Sequence, residues 1–118
     1  MNKPKIVWLN FSVFLITFLV AAIGVPYRAI THGFDSTELV VALCCFIYCG
    51  MSITAGYHRL WSHKTYQAHA SLRFIFALGG AFALQNSILH WASDHRVHHK
   101  HVDNNDKDPY SAKKGFWY

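Results

Sequence analysis

Apolar positions along this chain come in blocks rather than at a helical or alternating period. No charged residue occurs from Ile6 to Val25, and none from Leu39 to Tyr57. Each run matches the roughly 20 apolar residues that a helix needs to cross the hydrocarbon core of a bilayer. A third apolar stretch, Leu72 to Leu89, is interrupted by Arg73, by Gly79 and Gly80, and by Gln85 and Asn86. The pattern predicts an all-α integral membrane fold. Its core is a two-helix transmembrane hairpin over about residues 6–25 and 39–57. The third stretch is expected as a helix buried in protein or lying along the membrane surface. A signal peptide is a poorer account of the first block, which is too long for an apolar h-region and lacks a small-residue cleavage site.

Charge placement orients the hairpin. Lys3 and Lys5 precede the first span, and His58, Arg59, Lys64 and Arg73 follow the second. The connection from Pro26 to Glu38 carries only Arg28 against Asp35 and Glu38. By the positive-inside rule the segment is multi-pass with both termini cytoplasmic. The net charge of +5 sits beside the membrane and in the tail, at Lys100, Lys107, Lys113 and Lys114. That distribution suits anionic headgroups of the lipid bilayer. It forms no basic stripe of the kind nucleic acid requires, so no nucleic-acid partner is expected. Cys44, Cys45 and Cys49 fall inside the second span as small hydrophobes, with no sign of a disulfide. At 118 residues the chain is at most one domain. The stretch from Val102 to Lys114 is polar, with DNNDKDP as a turn-rich loop.

Two histidine clusters follow the second span: His58 and His63 in HRLWSH, then His95, His98 and His99 in HRVHH. Neutral imidazole is the commonest protein ligand for transition metals. Positions i, i+3 and i+4 share one helix face, so His95, His98 and His99 can point at one site. His58 and His63 are five apart, about 140° around an ideal α-helix. They converge only if the helix frays between them or if they bind from different sides. A third crossing by Leu72 to Leu89 would put the two clusters on opposite sides of the membrane, which is why that stretch is not read as a span. His32, His69, His90 and His101 are read as surface or packing histidines.

HRLWSH followed about thirty residues later by HRVHH resembles the membrane acyl-CoA desaturases of the stearoyl-CoA (delta-9) type. The likeness runs from near Trp8 to the end, through ITAGYHRLWSHKTYQAH, LQNSILHWASDHRVHHKH and NDKDPYSAKKGFWY. The resemblance implies an O2-dependent di-iron oxidoreductase of fatty acid biosynthesis that sets a cis double bond, at position 9, into a long-chain acyl thioester. Zinc has no redox chemistry to offer such a C–H bond, whereas iron on imidazoles does. Carried over by motif, His58, His63, His95, His98 and His99 look like iron ligands. Asn10 and Asn86 look like polar contacts to the carrier end of the substrate. Gln85 and Trp91 resemble residues lining the bend of the acyl tunnel, Asp94 an acidic contact to the CoA nucleotide, and Gly50 with Phe46 the tunnel end. Electrons are implied to come from a separate donor, such as cytochrome b5 or ferredoxin with its reductase.

Two departures qualify the likeness. Ser93 stands where the animal enzymes carry an arginine to the CoA phosphates, which leaves acyl-ACP open beside acyl-CoA as substrate. The family also continues with two more membrane helices and a further HxxHH cluster. Residues 1–118 are therefore expected to be the N-terminal part of a single desaturase domain, its C-terminal half absent and the remaining ligands outside this chain. Two alternatives stay open: a histidine-box membrane hydroxylase, and a small metal-binding membrane protein without catalysis. The 118-residue chain, expressed alone in a host lacking its own desaturase, is expected to yield no detectable unsaturated fatty acid by gas chromatography.

Overall fold

The structure, a computed structural model, describes residues 7–114. Lys3 and Lys5, which carry the expected orientation, lie outside the described residues, as do Ile6 and the final GFWY run. All regular structure among the described residues is helical, and none of it is strand. The chain divides into two compact units, Met1–Val41 and Ala42–Tyr118.

The first unit is built on helix α1 (Trp8–His32), 25 residues long. It is α-helical except for one π turn at Val20–Gly24. Pro26, which has no N–H to donate, lies in the first turn of the α-helix that resumes after the wide turn. The helix therefore runs on past Val25, and the expected 26–38 connection shrinks to Gly33–Asp35. Gly33 supplies the positive φ of 70° that ends α1. Helix α2 (Ser36–Ser62) follows at once, 27 residues long. A reciprocal cap starts it: the Glu38 amide donates to Asp35 Oδ1 at 2.8 Å, and the Asp35 amide donates to Glu38 Oε2 at 3.0 Å. Such N-caps contribute about 0.5–2 kcal/mol. Arg28 closes the connection by donating to Gly33 O at 2.7 Å and pairing with Glu38 at 2.9 Å.

Neither long helix is covered by protein. None of the most apolar window of α1 is buried, and only 11% of that of α2 is. Leu9, Phe18, Ile30, Leu43 and Phe46 all project outward. A helix that is apolar all round needs either a protein core or lipid around it, and a water-exposed apolar surface of this size is not tolerated. The polar Thr17 satisfies its hydroxyl within α1, donating to Val13 O at 2.9 Å. At 1.5 Å per residue both helices exceed the roughly 30 Å hydrocarbon core. The protein is a membrane protein. Cys44, Cys45 and Cys49 are free thiols on α2.

The second unit joins the end of α2 to helices α3 (Ala70–Phe82) and α4 (Ile88–Lys100). The third apolar stretch is not one helix. It breaks after Phe82, where Leu84 takes a positive φ of 55° and the Gln85 amide donates to Gly80 O at 3.1 Å. Thirteen residues span only about 20 Å, too short to cross. His69 caps α3 and Ser87 caps α4, each accepting from a backbone amide two or three residues on.

Helix α3 packs on α2 through two glycines. The ring of Tyr57, only 3% exposed, lies where a side chain on Gly80 would have to go. Ser52 and Tyr48 occupy the same place beside Gly79. Small residues at such crossings let helix backbones approach closely in membrane proteins. Tyr48 fastens the crossing by donating its hydroxyl to Ile75 O at 2.6 Å. Gly80→Ala is expected to push Tyr57 aside and to destabilise the protein by about 1–3 kcal/mol. A thermal midpoint in detergent equal to that of the parent would refute the close packing.

Candidate metal centre

The last eleven residues of α2, Ser52–Ser62, are wound as a π-helix. Its i→i+5 bonds differ from the i→i+4 bonds of an α-helix, and such segments recur at functional sites. The His63 amide donates to His58 O at 2.9 Å across five residues, and Ser62 Oγ donates to Tyr57 O at 2.9 Å across the same interval. The wider turn brings residue i+5 back above residue i. His58 and His63 therefore share a face, their ring centres 4.5 Å apart. The sequence offered fraying or approach from two sides; the π winding is neither.

Three carbonyls of this segment take donors from outside it. Thr65 donates its amide to Arg59 O at 3.0 Å. Tyr66 donates its hydroxyl to Ala55 O at 2.6 Å, and Arg96 reaches from α4 to Trp61 O at 3.3 Å. The last of these ties the HRLWSH segment to α4.

On α4, His95 and His99 lie one turn apart, their rings 4.5 Å from each other. They face the first pair: His58 to His95 is 4.7 Å, and His63 to His99 is 4.8 Å, between ring centres. Nε2 of His95 lies 3.3 Å from Nε2 of His63 and 3.0 Å from Nε2 of His99. One nitrogen from each of His58, His63, His95 and His99 falls within 4.8 Å of all the others. Imidazole nitrogens about 2.0–2.1 Å from one ion, the distance usual on zinc, lie roughly 3–4 Å from each other. The donor set thus fits one transition-metal ion with little rearrangement. A stack behind the cluster fixes His95: Trp91 lies parallel to it at 4.8 Å and 17°, and Tyr57 meets the edge of Trp91 at 5.8 Å.

His98 does not join this group. An i+3 residue and an i+4 residue differ by about 100° around a helix. With His99 aimed at the first cluster, His98 turns aside. Its Nδ1 lies 2.8 Å from Oδ1 of Asp108, a residue 1% exposed. Asp108 is the polar residue that the sequence left unread. It appears there only as one of several acids in a turn-rich loop, and no local pattern marks it as buried.

The other expected positions are scattered. Asn10 lies on α1 in the first unit, exposed. Asn86 and Gln85 are exposed in the link between α3 and α4, Gln85 donating to Ala83 O at 3.4 Å. Asp94 pairs with His90 at 3.1 Å, and Tyr110 hydrogen-bonds to it. Phe46 and Gly50 stand one turn apart on the uncovered face of α2. Of these substrate positions, only Trp91 touches the histidine cluster.

Electrostatics follow from this crowding. Burial pushes His95 down to about 4, with the rings of His58, His99, His63 and His98 adding to the shift. Burial alone would raise the Asp108 carboxyl, but hydrogen bonds from His98, Tyr110 and Asp103 outweigh it and hold it below the usual range.

Helices uncovered over membrane length, with a four-imidazole cluster at one end of the second, define a histidine-box membrane protein. Residues 36–118 match the family model "Fatty acid desaturase". The chain is 42% identical to Delta(9)-fatty-acid desaturase fat-7 of Caenorhabditis elegans, over 98% of this chain and 33% of the relative. It is 40% identical to Stearoyl-CoA desaturase 5 of Bos taurus, over 99% of this chain and 34% of the relative. It is 49% identical to the "Probable acyl-CoA desaturase" of Schizosaccharomyces pombe, over 78% of this chain and 19% of the relative. The chain belongs to the fatty acid desaturase family. It spans between a fifth and a third of the length of these curated relatives.

His95 gives the metal-free protein a pH dependence of known sign. The unfolded chain takes up this proton near pH 6.5, whereas the folded site resists until about pH 4. The stability tied to His95 is full above pH 6.5 and is lost as pH falls toward 4. His95→Gln is expected to flatten that part of a plot of thermal midpoint against pH. An unchanged slope would show that the crowding does not act on this ring.

Proposed function

We propose that this chain carries part of the metal centre of a fatty acyl desaturase. On this reading the protein introduces a cis double bond, at position 9, into a long-chain acyl thioester, consuming O2. The convergence of His58, His63, His95 and His99 in a chain of this family is the observation that supports it most. Those four side chains would hold one iron. His98 would serve a second, in a di-iron centre whose remaining ligands lie outside these residues. Iron bound there would activate O2, which supplies the oxidising power that breaking an unactivated C–H bond demands.

The chain's own residues do the rest by position. Four neutral imidazoles offer donors without adding negative charge. Trp91 lines the approach to His95 with a flat apolar face, and the Tyr57 ring braces it edge-on. An acyl chain passing Trp91 would lie close to the cluster. Asn10, Asn86, Gln85 and Asp94 are proposed to meet the carrier end of acyl-CoA or acyl-ACP, with Phe46 and Gly50 at the methyl end. Electrons are proposed to arrive from cytochrome b5 or ferredoxin with its reductase. The exposed Lys100, Lys107 and Lys113 offer such an acidic donor a basic surface. Both ends of the segment are proposed to face the cytoplasm.

Product analysis separates desaturation from hydroxylation. In a host lacking its own desaturase, the intact protein from the gene that encodes this chain is expected to form a Δ9 monounsaturated acyl product. His58→Ala is expected to lower that product by more than the roughly 10–100-fold usual for residues behind a metal ligand. A hydroxylated product with no double bond would overturn the reading in favour of a hydroxylase.

A further inference from the structure

Asp108 sits at the centre of the loop after α4 and is almost fully shielded, 1% exposed. Backbone amides approach both of its oxygens: Tyr110 donates to Oδ1 at 2.8 Å, and Asp103 donates to Oδ2 at 2.9 Å. Its own amide donates to Asn104 O at 2.8 Å, and Ser111 Oγ donates to Asn105 Oδ1 at 2.8 Å, so the loop is folded around the carboxylate. Oδ1 of the same carboxylate meets Nδ1 of His98 at 2.8 Å. An ionised carboxylate is acceptor only. Nδ1 of His98 must therefore carry the hydrogen, which leaves Nε2 as the lone pair of the neutral ring. Tyr110 packs against the same ring at 5.8 Å and limits its rotation.

We propose that Asp108 is a positioning residue that locks His98 in its Nδ1–H form and presents Nε2 as a metal donor separate from the four-imidazole cluster. Carboxylates and carbonyls behind a ligating histidine commonly fix its tautomer and raise its basicity. Here the carboxylate also decides direction. The bond to Asp108 holds His98 turned away from His95 and His99, so consecutive histidines in HRVHH serve different centres. The inference rests on the two-ion reading above for what Nε2 binds, but not for the tautomer or its cause.

Nitrogen-15 NMR of the metal-free chain in detergent micelles, with labelled histidine, tests it. His98 is expected in the Nδ1–H form in the parent. Asp108→Asn is expected to shift the ring toward the Nε2–H form that predominates in free histidine, and Asp108→Glu to restore part of the parent signal. Cobalt(II) added to the parent and to Asp108→Asn adds a second readout. Binding assigned to His98 is expected to weaken about 10–100-fold, with absorption from the four-imidazole site unchanged. A parent His98 in the Nε2–H form would overturn the proposal, even if neither variant folds. So would an Asp108→Asn spectrum identical to the parent's. Both results are independent of whether the intact protein desaturates, so a failure here is distinct from a failure of the proposed activity.

Discussion

The hydrogen bond from the His63 amide to the His58 carbonyl sets the winding on which the candidate centre depends. In an α-helix these residues would diverge by about 140°, and only one could face α4. The π winding of Ser52–Ser62 brings both to one side. Carbonyls of this segment also take donors from beyond it: Ala55 O from Tyr66, Arg59 O from Thr65 and Trp61 O from Arg96. Two of those donors come from the chain after α2 and one from α4. The Arg96 bond ties the segment that carries His58 and His63 to the helix that carries His95 and His99.

Close backbone approach is the second condition. Tyr57 lies at the crossing of α2 and α3 because Gly80 has no side chain there. From that position its ring braces Trp91, and Trp91 braces His95. A contact made by a glycine some fifteen residues away in sequence from His95 thus sets how firmly one imidazole is held. Over its most apolar window α2 takes little part in this packing, only 11% of it being buried.

HRVHH shows how a local motif can be divided by tertiary contacts. Spacing alone allows its three histidines to share a site. The described structure sends His95 and His99 to one cluster and His98 to a buried carboxylate ten residues on. Three imidazoles on a single turn cannot all aim at one point when a strong acceptor waits on the adjoining face. The loop that supplies this acceptor looks, in sequence, like a solvated turn.

The sequence by itself determined the helical, membrane-bound character, because long uncharged apolar runs have few other stable solutions. It determined the histidine motifs and the family they belong to, since those are properties of residue type and order. It also pointed to a third apolar stretch that does not cross, through Arg73, the glycine pair and Gln85. Tertiary structure decided what spacing could not: that α1 runs on past Pro26, that Ser52–Ser62 adopts the wider winding, and that Asp108 is buried against His98. The reason is common to all three. Each depends on which donor meets which acceptor after the chain has folded, and a hydrogen-bond partner distant in sequence leaves no periodic trace.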